Sequence, residues 1–199
     1  MSEFILSVNL TLCSGCFACI VACKQENSLR PGADDPPGSQ GPNWIKIHKV
    51  TGPSGDEKTE QMVFVPLMCN HCKNAPCVQG CPTRATYYDE RGIVCFDEKK
   101  CIGCKYCVEV CPYQIRSFDT QKKVGSKCQL CLPRLLEGKK PRCVETCPAS
   151  ARSFQWIPDE EVSEKPGESE ASFSLLTEAG TDPSVVYRLK LKFRGEIKK

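Results

Sequence analysis

Residues 101–112 read CIGCKYCVEVCP and carry four cysteines at the spacing C-x2-C-x2-C-x3-C, followed directly by a proline. Three cysteines, with two residues between each and the next, can wrap a tight loop around one metal-sulfur core. The fourth lies about one helical turn further on, so its thiolate points away from that core, and the proline then ends the helix. This spacing is typical of a 4Fe-4S site that gives its last cysteine to a neighbouring cluster.

Three more groups of four cysteines repeat this arrangement along the 199-residue chain. All keep the three-residue final gap, although the second gap grows to four residues in group two and to eleven in group four. Groups two, three and four end in Cys-Pro, whereas group one ends in Cys-Lys. The groups are Cys13, Cys16, Cys19 and Cys23; Cys69, Cys72, Cys77 and Cys81; Cys101, Cys104, Cys107 and Cys111; and Cys128, Cys131, Cys143 and Cys147. Sixteen of the seventeen cysteines therefore predict four 4Fe-4S clusters and an electron-transfer protein.

Disulfides and zinc are the rival explanations for so many cysteines. A count of seventeen is odd for a disulfide framework, and the opening MSEFILSVNL lacks the segments of a signal peptide. Zinc ribbons need two Cys-x2-Cys pairs, which gives no reason for a third cysteine two residues on or for repeated Cys-Pro. Iron-sulfur clusters are favoured, and a zinc-dependent interaction or nucleic-acid module is the remote alternative.

The formal charge of +3 treats every cysteine as neutral. An oxidised 4Fe-4S core of about +2 on four thiolates adds roughly −2, so four clusters would bring the chain to about −5. No nucleic-acid partner is therefore expected. Nor is a direct membrane span, since no apolar run approaches the roughly 18 residues required. The cations expected to offset buried cluster charge are Lys24, Lys73, Arg84, Lys105 and Arg116.

The segments between the groups predict the remaining elements. Alternating apolar residues indicate strands at 44–50 and 62–66, joined by a polar hairpin at 52–61. A second hairpin is expected where TYYD and GIVCFD flank residues 90–92. The other segments predict surface loops at 30–43 and 158–172, a short helix at 171–179 and, from strong alternation, a terminal strand at 185–193.

Three residues stand apart from the cysteine groups. Cys95, within the apolar GIVCFD, is expected to be a small buried residue without a redox role. His71 lies between two cysteines of group two, where packing or donation to sulfur is the simpler interpretation and tuning of a cluster or proton coupling is the alternative. His48 is expected to be structural.

The chain resembles the iron-sulfur, electron-transfer subunits of the dimethyl sulfoxide reductase superfamily of molybdopterin oxidoreductases. The resemblance rests on TLCSGCFACIVACKQEN, on the run from CNHCKNAPC through CVEVCPY, on SKCQLCLPRLLEGKKPRCVETCPASARSF and on GTDPSVVYRL. It implies an α+β fold of two nested bacterial ferredoxin-like units with added β-hairpins. The implied parts are an outer unit at 1–29 and 121–156, an insertion at 30–66, an inner unit at 67–120 and a C-terminal extension at 157–199.

The resemblance also implies the ligands of each cluster. Cys104 stands where some relatives replace a cysteine and hold a three-iron cluster, so four 4Fe-4S clusters are implied here. The implied ligand sets are Cys13, Cys16, Cys19 and Cys147 for cluster one; Cys128, Cys131, Cys143 and Cys23 for cluster two; Cys69, Cys72, Cys77 and Cys111 for cluster three; and Cys101, Cys104, Cys107 and Cys81 for cluster four.

A non-catalytic relay is the function that the resemblance implies. Single electrons would pass between a molybdenum or tungsten pterin catalytic subunit, facing the group-one cluster, and a quinone-reactive membrane subunit, facing the group-three cluster. The chain would then be peripheral to the cytoplasmic membrane, with export bound to a twin-arginine partner as one route and a cytoplasmic location as the other. The alternative is the electron-transfer subunit of a soluble formate dehydrogenase, hydrogenase or tungsten aldehyde oxidoreductase complex.

Overall fold

The computed structural model describes residues 3–29, 41–53, 60–157 and 172–189. Short strands and short helices alternate through these ranges, which gives the mixed content expected of an α+β protein. The helices are α1 Ala18–Glu26, α2 Pro76–Gln79, α3 Tyr106–Glu109, α4 Leu132–Leu136 and α5 Arg142–Glu145. The strands are β1 Glu3–Asn9, β2 Ile45–Pro53, β3 Glu60–Met68, β4 Thr86–Tyr88, β5 Val94–Phe96, β6 Ser117–Asp119, β7 Val124–Ser126, β8 Arg152–Ile157, β9 Ser172–Phe173 and β10 Val185–Arg188.

Both predicted hairpins are present, as β2–β3 and β4–β5. The polar connection predicted at 52–61 is too long, because Gly52 pairs with Gln61 and Pro53 with Glu60. Backbone hydrogen bonds extend such a two-stranded ribbon without needing apolar side chains. A third hairpin, β6–β7, was not predicted from the sequence. All three lie between or beside the cysteine groups.

A four-stranded sheet in the order β8-β1-β10-β9 joins the two ends of the chain. Strand β1 runs antiparallel to β8 and parallel to β10. The side chains of Leu6, Val8, Val185 and Tyr187 are fully buried in it, so the C-terminal strand belongs to the core.

The helix predicted at 171–179 is wrong. Phe173 pairs with Tyr187 as the edge strand β9, and a 3-10 helix of three residues covers only Thr177–Ala179. Leu176, in the left-handed conformation, separates the two. The predicted loop at 158–172 and the loop at 30–43 fall mostly outside the described residues, as does the end of the terminal strand past residue 189.

The helices pack in pairs that are distant in sequence. Helix α1 of group one contacts α5 of group four, and α2 of group two contacts α3 of group three. In the parts of the chain that the structure describes, no helix combines the length and hydropathy needed to cross a bilayer. The pairing brings the four cysteine groups together two by two.

Candidate iron-sulfur sites

Each cysteine group starts with the same backbone turn. The residue two positions after the first cysteine is left-handed in all four groups: Gly15 (φ 67°), His71 (φ 43°), Gly103 (φ 72°) and Leu130 (φ 55°). In groups three and four the amide of that residue reaches back to the first sulfur, with N to Sγ distances of 3.4 Å for Gly103 to Cys101 and 3.3 Å for Leu130 to Cys128. The turn therefore directs backbone N–H donors towards sulfur.

A second turn repeats after each Cys-Pro. The residue three positions after the cysteine is again left-handed, at Arg84, Gln114 and Ser150. Just beyond it, the amide of Thr86 donates to Cys81 Sγ at 3.5 Å, and that of Ala151 donates to Cys147 Sγ at 3.3 Å. Such donors stabilise negative charge on sulfur, as cluster ligands require.

Three small cavities are each lined by four cysteines drawn from two groups. Their other walls are mainly apolar side chains and backbone, with no carboxylate or imidazole among the lining residues that the structure describes. Such an all-sulfur donor set suits an iron-sulfur cluster. The cysteines are Cys13, Cys16, Cys19 and Cys147 at site one; Cys23, Cys128, Cys131 and Cys143 at site two; and Cys81, Cys101, Cys104 and Cys107 at site four.

The remaining predicted ligands form site three, with Cys69 and Cys111 packed against the buried Cys72 and Cys77. Burial, followed by the like charges of the neighbouring Cys69, Cys77 and Cys111, raises the pKa of Cys72 to about 12. The same apolar cluster touches Cys107 of site four, so the two sites adjoin. Each of the sixteen predicted cysteines therefore lines one of the three cavities or lies in this apolar cluster.

The most deeply buried thiols of sites one, two and four ionise only beside a cationic core. Burial, followed by the neighbouring Cys143 and Cys131, raises the pKa of Cys23 to about 12, and burial likewise raises the pKa of Cys19 and Cys107. Converging thiols of this kind stay protonated unless positive charge is supplied, and metal binding supplies it while releasing the protons. The residues therefore fit 4Fe-4S clusters.

Two buried cations beside the sites were missed by the sequence reasoning. Lys127 and Arg152 are as buried as Arg116, which was predicted. Of the other predicted cations, Lys24 is half-buried, and the exposed ones are Lys73, Arg84 and Lys105. Water and salt screen exposed lysines and arginines, and of these three Lys105 lines the cavity of site four, so their role in offsetting buried charge stays a prediction. Lys127 directly precedes Cys128 in sequence, which was the available signal.

The structure also places the residues outside the groups. Cys95 is buried on β5 opposite Tyr87 and lines none of the three cavities, which confirms the prediction of a small buried residue. His71 is buried and packs edge-on against the Phe4 ring, with a centroid distance of 6.0 Å. His48 is half-buried on β2.

Two family models match the sequence, both described as a 4Fe-4S dicluster domain, at residues 12–85 and 60–157. A subunit of the sulfite dehydrogenase of Allochromatium vinosum is 39% identical, over 99% of this chain and 87% of its own length. This chain is a member of the family of iron-sulfur subunits of the dimethyl sulfoxide reductase superfamily.

Two further relatives support the same family membership of this iron-sulfur subunit. The thiosulfate reductase electron transfer subunit of Salmonella typhi is 36% identical, over 85% of this chain and 84% of its own. The matching subunit of the anaerobic dimethyl sulfoxide reductase of Escherichia coli is 34% identical, over 91% and 86%. The protein is an electron-transfer subunit with four 4Fe-4S clusters, as predicted, and the zinc alternative falls away.

Proposed function

We propose that the cysteine groups exchange their last ligands in two reciprocal pairs, group one with four and group two with three. The lining of sites one, two and four supports three of the ligand sets. The shared packing and mutual pKa effects at site three support the fourth. The proposed sets are Cys13, Cys16, Cys19 and Cys147; Cys128, Cys131, Cys143 and Cys23; Cys69, Cys72, Cys77 and Cys111; and Cys101, Cys104, Cys107 and Cys81.

The two pairs correspond to an inner ferredoxin-like unit at 67–120 nested within an outer one at 1–29 and 121–156. Packing of α1 on α5 and of α2 on α3 supports this division. So does the pairing of β1 with β8, which joins the two ends of the outer unit. Residue 157 ends β8, where the C-terminal extension would begin.

In this proposal the subunit relays single electrons between two partners, and the carrying observation is the exposure of its cysteines. Sites one and four each have one exposed cysteine, Cys16 and Cys104, whereas every cysteine of sites two and three is buried or half-buried. When bound, 4Fe-4S clusters supply one-electron redox chemistry. Two exposed ends and an insulated middle suit a relay that exchanges electrons only at its ends.

Exposed apolar side chains accompany both ends. Leu12, Phe17 and Val21 are exposed on the group-one loop and helix, and Phe17 lines site one. Ile102 and Tyr106 are exposed and line site four. Apolar patches of this kind are characteristic of protein interaction surfaces. They support docking of one protein partner at each end.

The partners we propose follow from membership of this family. A molybdenum or tungsten pterin catalytic subunit docks at site one, and a quinone-reactive membrane subunit docks at site four and holds the complex at the cytoplasmic membrane. The chain itself contributes no substrate chemistry and selects no terminal substrate. Purification of the native complex tests this, with identification of its chains and of bound molybdenum or tungsten. A complex lacking any membrane subunit would instead favour the soluble alternative.

The ligand exchange has its own test in the Cys147→Ser variant. The proposal expects loss of the cluster signal of site one, which the first three cysteines of group one hold, while site two keeps its signal. The matched control is Cys23→Ser, which must damage site two and spare site one. Electron paramagnetic resonance of the reduced proteins reports both, and damage to a variant's own group alone would refute the exchange.

A further inference from the structure

Three cations are buried in the interior of the subunit. The exposed fraction of the residue is 1% for Lys127, 5% for Arg116 and 5% for Arg152. Within residues 3–29, 41–53, 60–157 and 172–189, no carboxylate forms an ion pair with any of them. Because a buried cation is costly without a compensating negative charge, each needs another counter-charge nearby.

Arg152 lies between site one and site two. It lines the cavity of site one, and its Nη1 is 3.6 Å from the Sδ of Met68, which lines the cavity of site two. The guanidinium therefore touches the lining of both cavities.

Lys127 lies between site two and site three. Its Nζ donates to the carbonyl of Cys128 at 2.5 Å and also to that of Val94. Cys128 lines site two, and Val94 packs with Cys77 in the apolar cluster of site three. Carbonyl oxygens thus hold the ammonium in place at this boundary.

Arg116 lies between site three and site four. Its Nη2 is 3.0 Å from the Oγ1 of Thr86, whose amide donates to Cys81 Sγ of site four. On the other side, the adjacent residue Ile115 packs with Cys77 in the apolar cluster of site three. The Nε and Nη1 of Arg116, like Nη2 of Arg152, donate no hydrogen bond to the described residues. These N–H groups remain available to cluster sulfur.

We propose that Arg152, Lys127 and Arg116 are junction cations, each placed between two successive clusters and raising the reduction potentials of both. The inference rests on the ligand sets proposed above. Reduction adds a negative charge to a cluster, so a fixed cation nearby stabilises the reduced form. A cation shared by two clusters also offsets their mutual repulsion when both are reduced. Low-dielectric surroundings strengthen both effects relative to those of surface charges.

The test is a redox titration of the purified complex, followed by electron paramagnetic resonance, on Lys127→Met and on the surface control Lys122→Met. Lys122 is exposed and pairs with Glu98 at 3.0 Å, so removal of its charge should leave all four potentials within error. Signals are assigned with one Cys→Ser variant for each site. We expect Lys127→Met to lower the potentials of clusters two and three by a tenfold change in reduction equilibrium, about 59 mV each. Clusters one and four should shift much less.

The other junctions give the matching pattern. Arg152→Met should lower the reduction potentials of clusters one and two, and Arg116→Met should lower those of clusters three and four. Lys127→Arg keeps the positive charge and should therefore keep the wild-type potentials. Iron content near sixteen per chain establishes that a variant is loaded. Unshifted potentials in loaded variants, or an equal shift of all four clusters, would overturn the inference.

Loss of iron from all three methionine variants would also overturn it, by assigning the cations a structural role instead. If only one variant loses iron, the reduction potentials of the other two variants test the inference. An error in the proposed ligand sets shows separately, as the wrong damaged cluster in Cys147→Ser. An error in the proposed partners shows only in the composition of the purified complex.

Discussion

Gly103→Ala should damage one cluster selectively, because Gly103 meets two constraints at once. Its φ of +72° lies in the left-handed region, and it stands between Cys101 and Cys104, which line site four. A Cβ built on it would lie 2.4 Å from the carbonyl oxygen of Lys123, which is backbone and cannot rotate away. The ligand loop or the turn before β7 must therefore move.

The size of the effect follows from these two terms. Ordinary van der Waals contact begins at 3.4 Å, so the alanine forces a displacement of about 1 Å. The left-handed alanine costs about 1–2 kcal/mol, and overpacking adds about 1–3 kcal/mol. Gly92 is the matched control, since its φ is +77° and nothing lies within 4 Å of a Cβ there. Gly92→Ala should therefore show only the cost of the left-handed backbone, without the overpacking.

The assay is iron content with electron paramagnetic resonance, followed by thermal unfolding. Gly103→Ala should lose the signal of cluster four and retain the other three, and its first unfolding transition should fall well below that of the control. Gly92→Ala should keep all four signals and lose about 2–4 °C per kcal/mol. Equal behaviour of the two variants, or loss of a cluster other than cluster four, would refute the reasoning.

Three further outcomes are expected. Cys95→Ala should keep the full iron content and the potentials of all four clusters, since Cys95 lines none of the three cavities; a missing cluster signal would contradict this. Tyr187→Phe removes a buried hydrogen bond of 3.2 Å to the Pro66 carbonyl and should cost about 1–3 kcal/mol in thermal or denaturant unfolding, whereas an unchanged stability would argue against that bond. Val21 is 64% exposed, and Val21→Asp should prevent copurification of the proposed catalytic subunit. Ile102 is 68% exposed, and Ile102→Asp should prevent copurification of the proposed membrane subunit. Both variants should keep their clusters, and a complex that stays intact in both would contradict these docking surfaces.

The local elements that sequence reasoning found are those with a strong period or spacing. The β4–β5 hairpin was clear because TYYD and GIVCFD flank a glycine turn. Strand β1 was missed even though EFILSVN is largely apolar, because a short apolar run next to a cysteine loop has no distinguishing period. The helix expected near Thr177 failed because pairing of Phe173 with Tyr187, far along the chain, took precedence.

The candidate cluster ligands, in contrast, could be predicted from the sequence. Metal-binding loops impose a spacing that is visible in the chain itself, so all sixteen cysteines could be chosen from the sequence. Of the three buried cations only Arg116 was predicted, together with exposed residues, because closeness to a cysteine group in the sequence does not show whether a lysine or arginine is buried. Lys127 and Arg152 differ from the exposed Lys105 only through their tertiary surroundings.

The sequence by itself determined the cofactor type, the number of clusters and the electron-transfer chemistry, because thiolate ligation depends on residue type and short-range spacing. Only the tertiary structure decided which cysteines from distant groups meet around a common cavity, and that β10 enters the sheet beside β1. It alone showed that Arg152, Lys127 and Arg116 are buried. The physical reason is that burial and electrostatic interaction depend on distance in space, which separation along the chain does not specify.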